Sequence, residues 1–142
     1  MTAMQAKSRR LARLLGVRQV ALRAGETRLA AAGLRVETAG QRLGQVRGLI
    51  EASGTPPGET ALSALRGAAS LRALLGPVLA SAIGQAEEAE RARKSAALAL
   101  AAATARHGRA ERDFAAARAA AERQAEEMES AERVPPLKRK AP

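Results

Sequence analysis

The residues of this chain whose types could support catalysis or metal binding are one histidine and a run of carboxylates. His107 is the single histidine and the chain has no cysteine, so neither a pair of imidazole ligands nor a thiolate site can form. The carboxylates could be imagined around a divalent cation. Because arginines are interspersed with them, we interpret them as a solvated helix face. This acidic run consists of Glu122, Glu126, Glu127, Glu129 and Glu132.

Phosphate-binding motifs are also missing from the sequence. The 12 glycines never form a G-x-x-x-x-G-K-[ST] loop or a G-x-G-x-x-G turn, the patterns in which backbone N–H groups cradle phosphate. No constellation of residues suited to catalysis remains. We therefore expect a protein that is not an enzyme and that has no cofactor, no metal and no small-molecule substrate.

The single histidine shares a helical position with the single aromatic residue. His107 and Phe114 are seven residues apart in a stretch that is otherwise rich in alanine and aliphatic side chains. One interpretation is a partly buried histidine that packs on Phe114. The other is a polar residue that fixes the register of a helix pair or faces a partner.

Two heptad ladders, each a row of residues spaced seven apart, identify the helices that position these side chains. A strict seven-residue repeat keeps one stripe of each helix facing its partner. The first ladder is Leu15, Leu22, Leu29, Val36, Leu43 and Ile50, with Leu11, Arg18, Gly25, Ala32, Ala39 and Val46 between its members. The second is Ala82, Ala89, Ala96, Ala103, Ala110 and Ala117, alternating with Leu79, Ala86, Arg93, Leu100, His107, Phe114, Ala121 and Met128.

Proline and glycine divide the chain into helical segments. A first helix is predicted over about 3–52, and it ends before Ser53–Gly58, whose consecutive prolines a helix cannot cross. A short helix is predicted over about 59–75, with Gly76 as its stop and Pro77 as the restart of a long helix over about 77–133. The apolar stripe of the short helix would be Leu62, Leu65, Leu71, Leu74 and Leu75.

The predicted fold class is all-α. Residues 1–134 would form a long antiparallel two-helix coiled-coil hairpin with a short helix or loop at the connecting end. Residues 135–142 are a proline-rich basic tail that we predict to be disordered.

Charge is distributed unevenly along the chain. The net charge is +10, and residues 1–50 carry ten basic side chains against only Glu26 and Glu37. An antiparallel hairpin would bring the acidic run alongside the basic residues nearest the N-terminus, and opposite charges there would favour that arrangement. These basic residues are Lys7, Arg9, Arg10 and Arg13.

The same basic helix permits a different class of function. Arg28, Arg35 and Arg42 recur every seven residues beside the ladder, and clustered positive charge is enough for salt-sensitive binding to phosphate. The alternative function is therefore a basic coiled coil that binds nucleic acid without sequence preference, although no aromatic platform accompanies the arginines. A membrane-surface helix is a third class, which the missing broad apolar face on the first helix disfavours.

No targeting or membrane-spanning segment is expected. Residues 1–15 hold four basic side chains without a long apolar stretch, so we predict no secretory signal. Nowhere do 18 uncharged apolar residues follow one another, so we predict no transmembrane helix and a soluble, cytoplasmic protein.

The segment Arg10–Arg18, RLARLLGVR, resembles the start of the FliJ family of flagellar export proteins, whose members typically begin with an arginine/leucine segment of this kind. The second half is similar too. Leu71–Leu75 is followed by Leu79, Ile83 and Gln85 and then by a long Ala/Arg/Glu helix that ends in Glu126–Glu129. The resemblance covers nearly the whole chain in order and length.

This resemblance implies a component of the flagellar type III export apparatus, built as a coiled-coil stalk similar to the central stalk subunit of rotary ATPases. The implied partners are the flagellar export ATPase, a membrane protein of the export gate and filament-type export chaperones. The implied location is cytoplasmic and peripheral, at the inner face of the cell membrane. The end of the hairpin that carries both termini would enter the ATPase ring, with partner-binding residues expected at Arg10, Leu11, Arg13, Leu14, Phe114 and Met128.

Overall fold

The computed structural model describes residues 2–54 and 62–133, and it is 98% helical. Helix α1 spans Ala3–Ala52 and helix α2 spans Leu62–Arg133. The described ranges contain no strand, and the two helices pack against each other. The all-α helical-hairpin fold is therefore confirmed. The predicted disordered tail and most of the predicted Ser53–Gly58 break lie outside the described residues.

Short polar contacts define both ends of α1. The Gln5 N–H donates to Thr2 Oγ1 at 3.2 Å, and the Thr2 N–H donates to Gln5 Oε1 at 3.1 Å. This reciprocal pair is a capping box, which satisfies donors that the first turn of a helix leaves free. At the other end, Ser53 Oγ donates to the Ile50 carbonyl at 2.7 Å.

The described chain divides into two units. The terminal unit contains the described residues up to Ala24 together with those from Ala101 onward, and the central unit is Gly25–Leu100. In each unit a segment of α1 packs on a segment of α2 that runs in the opposite direction. In the central unit, for example, Gly25 lies beside Leu100, whereas Arg42 lies beside Gln85.

The heptad positions form the seam within each unit. Every predicted seam residue of α1 is buried or half-buried, and so is every predicted seam residue of α2 except Met128, which is 52% exposed. The most deeply buried side chains are small: Ala32 and Val46 on α1, and Ala82 and Ala110 on α2. The core is thus a narrow line of contact in which alanine lets the two backbones approach.

The predicted break between a short and a long helix is wrong. α2 continues without interruption through Gly76 and Pro77. A proline inside a helix removes one backbone hydrogen bond and costs about 3 kcal/mol. Pro77 lies on an exposed face, where water can satisfy the carbonyl that its ring displaces, while Leu75 and Leu79 on either side are half-buried at the seam. Packing of these leucines holds the helix together across the proline.

The predicted apolar stripe of the first turns of α2 is also mostly unburied. Leu75 is half-buried, whereas Leu62, Leu65, Leu71 and Leu74 are exposed. The reason is the position at which α1 ends. Gly54 follows the end of α1, and a Cβ built on it would lie 3.6 Å from the Arg72 guanidinium, so α1 ends beside Arg72. The described part of α1 does not extend far enough to cover the turns before it.

One part of α2 has the length and composition of a membrane span. An 18-residue window of this helix has a mean hydropathy of 1.3, and 6% of it is buried in the structure. The absence of a transmembrane helix and the cytoplasmic location stay predictions, because length and composition alone do not place a helix in a membrane.

Candidate partner-binding surfaces

The basic and apolar residues predicted to meet a partner lie on α1 in the terminal unit. Arg10 and Arg13 are exposed, and Leu14 is 39% exposed, so these three side chains are accessible. Leu11 is half-buried at the seam and lines a groove of about 440 Å³ whose other wall includes Asp113. Leu11 therefore contributes to packing as well as to the surface.

The two predicted contact residues of α2 lie in different surroundings. Phe114 is half-buried at the seam, and Met128 borders a second, separate groove of about 280 Å³ with Thr2 and Gln5. The structure therefore places all the predicted contact residues in the terminal unit but does not bring them into one pocket. Their role in binding a partner stays a prediction.

One buried polar atom marks the groove beside Met128. Gln124 Oε1 has no hydrogen-bond partner within the described part of the chain. Gln124 lines this groove with Glu129 and Glu132, two members of the acidic run. An unsatisfied buried acceptor costs about 1–3 kcal/mol, so the groove is a destabilised part of the terminal unit.

The expected pairing between the basic N-terminal residues and the acidic run is not observed. In the described ranges, Lys7, Arg9, Arg10 and Arg13 have no carboxylate within ion-pair distance. Glu122 instead accepts from Arg118 at 3.1 Å, and Glu129 pairs with Arg133. Side chains four residues apart on one helix are neighbours and can pair without crossing the seam. This favours such pairs over pairs between the two helices. These four basic residues near the N-terminus of α1 are exposed to solvent.

His107 has a partner on its own helix. Its side chain is 16% exposed, and Nδ1 lies 3.4 Å from Glu111 Oε1, one turn further along α2. This contact places a carboxylate beside the imidazole at the edge of the seam. It does not decide between packing on Phe114 and a role in fixing the register or facing a partner.

Arg93, the polar interruption of the seam in the central unit, is bound in a bidentate pair. Its Nε donates to Glu90 Oε2 at 3.1 Å and its Nη2 donates to Glu90 Oε1. These hydrogen bonds from Arg93 hold the pKa of Glu90 below its ordinary value, and Lys94 adds a smaller electrostatic contribution. The guanidinium is thereby neutralised on α2 itself.

Sequence reasoning missed a groove on one side of the central unit. It measures about 400 Å³ and is lined on α1 by Leu34, Arg35, Thr38, Ala39 and Arg42, and on α2 by Gln85, Glu88, Ala89 and Ala92. Arg42 Nη1 donates to Gln85 Oε1 at 3.1 Å across it. The signal that could have revealed it is the smallness of Ala89 and Ala92 opposite the long side chains of α1.

Within residues 2–54 and 62–133, no three histidine or acidic side chains are grouped closely enough to hold a metal ion. No family model matches the sequence, and comparisons with curated proteins and with solved structures find no significant match.

Proposed function

We propose that this chain is a non-enzymatic interaction protein that acts as a coiled-coil stalk of the flagellar export ATPase, and that links the ATPase to the export gate and its chaperones. The fold supports this because two helices packed along an alanine seam are the arrangement expected of a coiled-coil stalk. The resemblance at Arg10–Arg18 supplies the partner.

The observation that carries the proposal is the solvent-facing surface of α1 in the terminal unit. Arg10 and Arg13 are exposed and unpaired with carboxylates in the described ranges, and Leu14 is exposed beside them. A partner with acidic and apolar side chains could bind all three without breaking an existing ion pair. Such surfaces combine electrostatic steering with an apolar anchor.

The test is a binding measurement between the full chain and the flagellar export ATPase. Arg10→Glu combined with Arg13→Glu should weaken binding at least tenfold, because two attractive charges become repulsive at the contact. The matched control is Arg28→Glu with Arg35→Glu, which makes the same change of charge at exposed positions further along α1. The control should bind as the parent does, and both variants should keep the parent's far-UV circular dichroism.

Absence of binding between the unmutated chain and the ATPase would contradict the proposal. So would equal losses in the two double variants, because a defined contact at one end of the helix is the essential claim. In cells that depend on this protein for swimming, the Arg10/Arg13 variant should reduce motility and the control should not.

A second candidate function is supported by the same unpaired arginines. Binding to a nucleic acid requires only clustered positive charge, and α1 presents it along its length. In a gel shift with duplex DNA, this function predicts equal weakening by the Arg10/Arg13 and Arg28/Arg35 variants. It also predicts a steep loss of affinity between low and physiological salt.

A further inference from the structure

A row of large aliphatic side chains on α2 lies along one edge of the seam of the central unit. Leu71, Leu74 and Val78 are exposed, and their spacing of three and four residues places them on one face of the helix. Leu74, at 71% exposed, contacts solvent almost as fully as a side chain on an isolated helix would. Aliphatic surface of this kind lowers its free energy when it is removed from water.

The end of α1 extends this surface. Val78 lines a groove together with Arg42 and Val46 of α1, so Arg42 lies on the same side of the central unit as Val78. Leu49 is seven residues from Arg42, two helical turns further on the same side, and it is also exposed. We call the four residues Leu49, Leu71, Leu74 and Val78 the apolar patch.

The segment of α2 that carries the patch is apolar on average and carries only positive charge. Between Leu62 and Gln85 the sequence contains Arg66 and Arg72 and no acidic residue. An 18-residue window of α2 reaches a mean hydropathy of 1.3, and 6% of that window is buried. Placing both arginines in the hydrocarbon would be costly, whereas a helix in the plane of the interface lets their guanidinium groups reach the headgroups.

Charge decides between a bilayer and a second copy of the chain as the occupant. A second copy seated on the apolar patch would bring two chains that each carry a net charge of +10 together through segments whose only charged residues are Arg66 and Arg72, so the charges would repel. An anionic bilayer accepts the aliphatic side chains and attracts the arginines together. We infer that the apolar patch is a docking surface for an anionic lipid bilayer, on which this part of the central unit lies flat.

This inference does not rest on the stalk proposal, because it concerns the central unit and the proposed contact with the ATPase lies in the terminal unit. It also revises the earlier argument against a membrane-surface helix. That argument considered the first helix, whereas the broad apolar face belongs to the beginning of α2.

The test is flotation of the full chain with vesicles of phosphatidylcholine and phosphatidylglycerol mixed at about three to one. Leu71→Gln combined with Leu74→Gln should weaken partitioning into these vesicles at least tenfold, because two aliphatic side chains no longer leave water. Both positions are exposed, so the fold and the far-UV circular dichroism should be retained.

The matched control is Leu34→Gln combined with Leu98→Gln. These leucines are 65% and 74% exposed, they lie in the same unit, and they are outside the patch. The control should partition as the parent does. Equal losses in the two variants would overturn the inference, because they would show only a general effect of surface hydrophobicity.

A third variant separates the contribution of charge. Arg66→Gln combined with Arg72→Gln should weaken binding about twentyfold on the anionic vesicles and leave the weaker binding to pure phosphatidylcholine unchanged. Analytical ultracentrifugation of the parent and the Leu71/Leu74 variant completes the test. No flotation of the parent would overturn the inference. A dimer that the Leu71/Leu74 variant dissociates, with flotation unchanged, would overturn it in favour of a second copy.

Discussion

The terminal and central units share one type of seam but differ in what stabilises their helices away from it. In the terminal unit, α2 carries the ion pairs Arg118–Glu122 and Arg133–Glu129 and a contact between His107 and Glu111, whereas in the central unit it carries the pair Glu90–Arg93. The α1 segment of that unit contains one glycine, Gly16. In the central unit the α1 segment contains five, at Gly25, Gly33, Gly40, Gly44 and Gly48.

This difference shows that the two units depend on the seam to different degrees. Each glycine in a helix interior is less favourable than alanine by about 1 kcal/mol, so α1 in the central unit gives up about 5 kcal/mol of intrinsic helix preference. Packing across the seam must offset that loss. In the terminal unit the helices have stronger preferences of their own, and the seam adds to them.

The largest effect should come from a charge placed in the seam of the central unit. Leu29→Asp should lower the free energy of unfolding by about 3–5 kcal/mol, because it places an unpaired carboxylate in the contact between the helices. Leu34→Asp is the control on the same helix and unit, and at 65% exposed it should change stability by less than about 0.5 kcal/mol. Urea unfolding followed by circular dichroism measures both, and similar losses would mean that Leu29 is not at the seam.

An intermediate effect should follow from overfilling the seam of the terminal unit. Ala103→Leu should lower the free energy of unfolding by about 1–3 kcal/mol, since Ala103 is half-buried at the seam and a larger side chain there would push against the facing helix. Ala102→Leu places the same side chain on the exposed neighbouring position and should be close to neutral. If thermal unfolding shows Ala103→Leu to be as neutral as its neighbour, the alanine ladder does not set the distance between the helices.

The glycines of the central unit should differ in how much stability an added methyl group gives. A Cβ at Gly40 or Gly44 would meet no atom within 4 Å, so alanine at either site should raise stability by about 0.5–1 kcal/mol. A Cβ at Gly25 would lie 3.3 Å from Leu100 Cδ1, a tight contact that should reduce or abolish this gain. Chemical denaturation of the three variants ranks them, and an equal gain at Gly25 would contradict the close approach.

The smallest effect concerns the pH dependence of the Glu90–Arg93 pair. The lowered pKa of Glu90 means that the folded state binds this proton more weakly than the unfolded state does. The pair therefore contributes its stability above the ordinary glutamate pKa and loses it as pH falls through the lowered value. NMR titration should find the Glu90 pKa below the ordinary value of a glutamate, and Arg93→Gln should raise it towards that value.

The sequence was sufficient to predict the seam because heptad spacing is a local and nearly rigid constraint. Once Leu15 and Ala82 are assigned to facing stripes, every seventh residue follows from the geometry of the helix. The continuity of α2 through Pro77 could not be predicted in this way. Local preference favours a break there, and the half-burial of Leu75 and Leu79 at the seam opposes it.

The candidate surfaces were less predictable, because they depend on which long side chains reach which neighbours. Met128 occupies a heptad position but is exposed. Glu122 pairs with Arg118 on its own helix rather than with a basic residue of α1. The apolar patch was hidden for a related reason. Leu71 and Leu74 look like core residues in the sequence, and only the position at which α1 ends shows that they are not covered.

The alanine ladder also determines how the central unit responds to force along its axis. Between Leu79 and Leu100, the seam positions of α2 present only alanine and Arg93, so shifting the helices past each other by one heptad would replace alanine with alanine over most of that length. Such a surface offers little resistance to sliding. The features that oppose it are the contact of Leu100 with Gly25 and the hydrogen bond from Arg42 to Gln85. Under a pull on one helix of this unit, we expect these two contacts to resist the sliding of the helices.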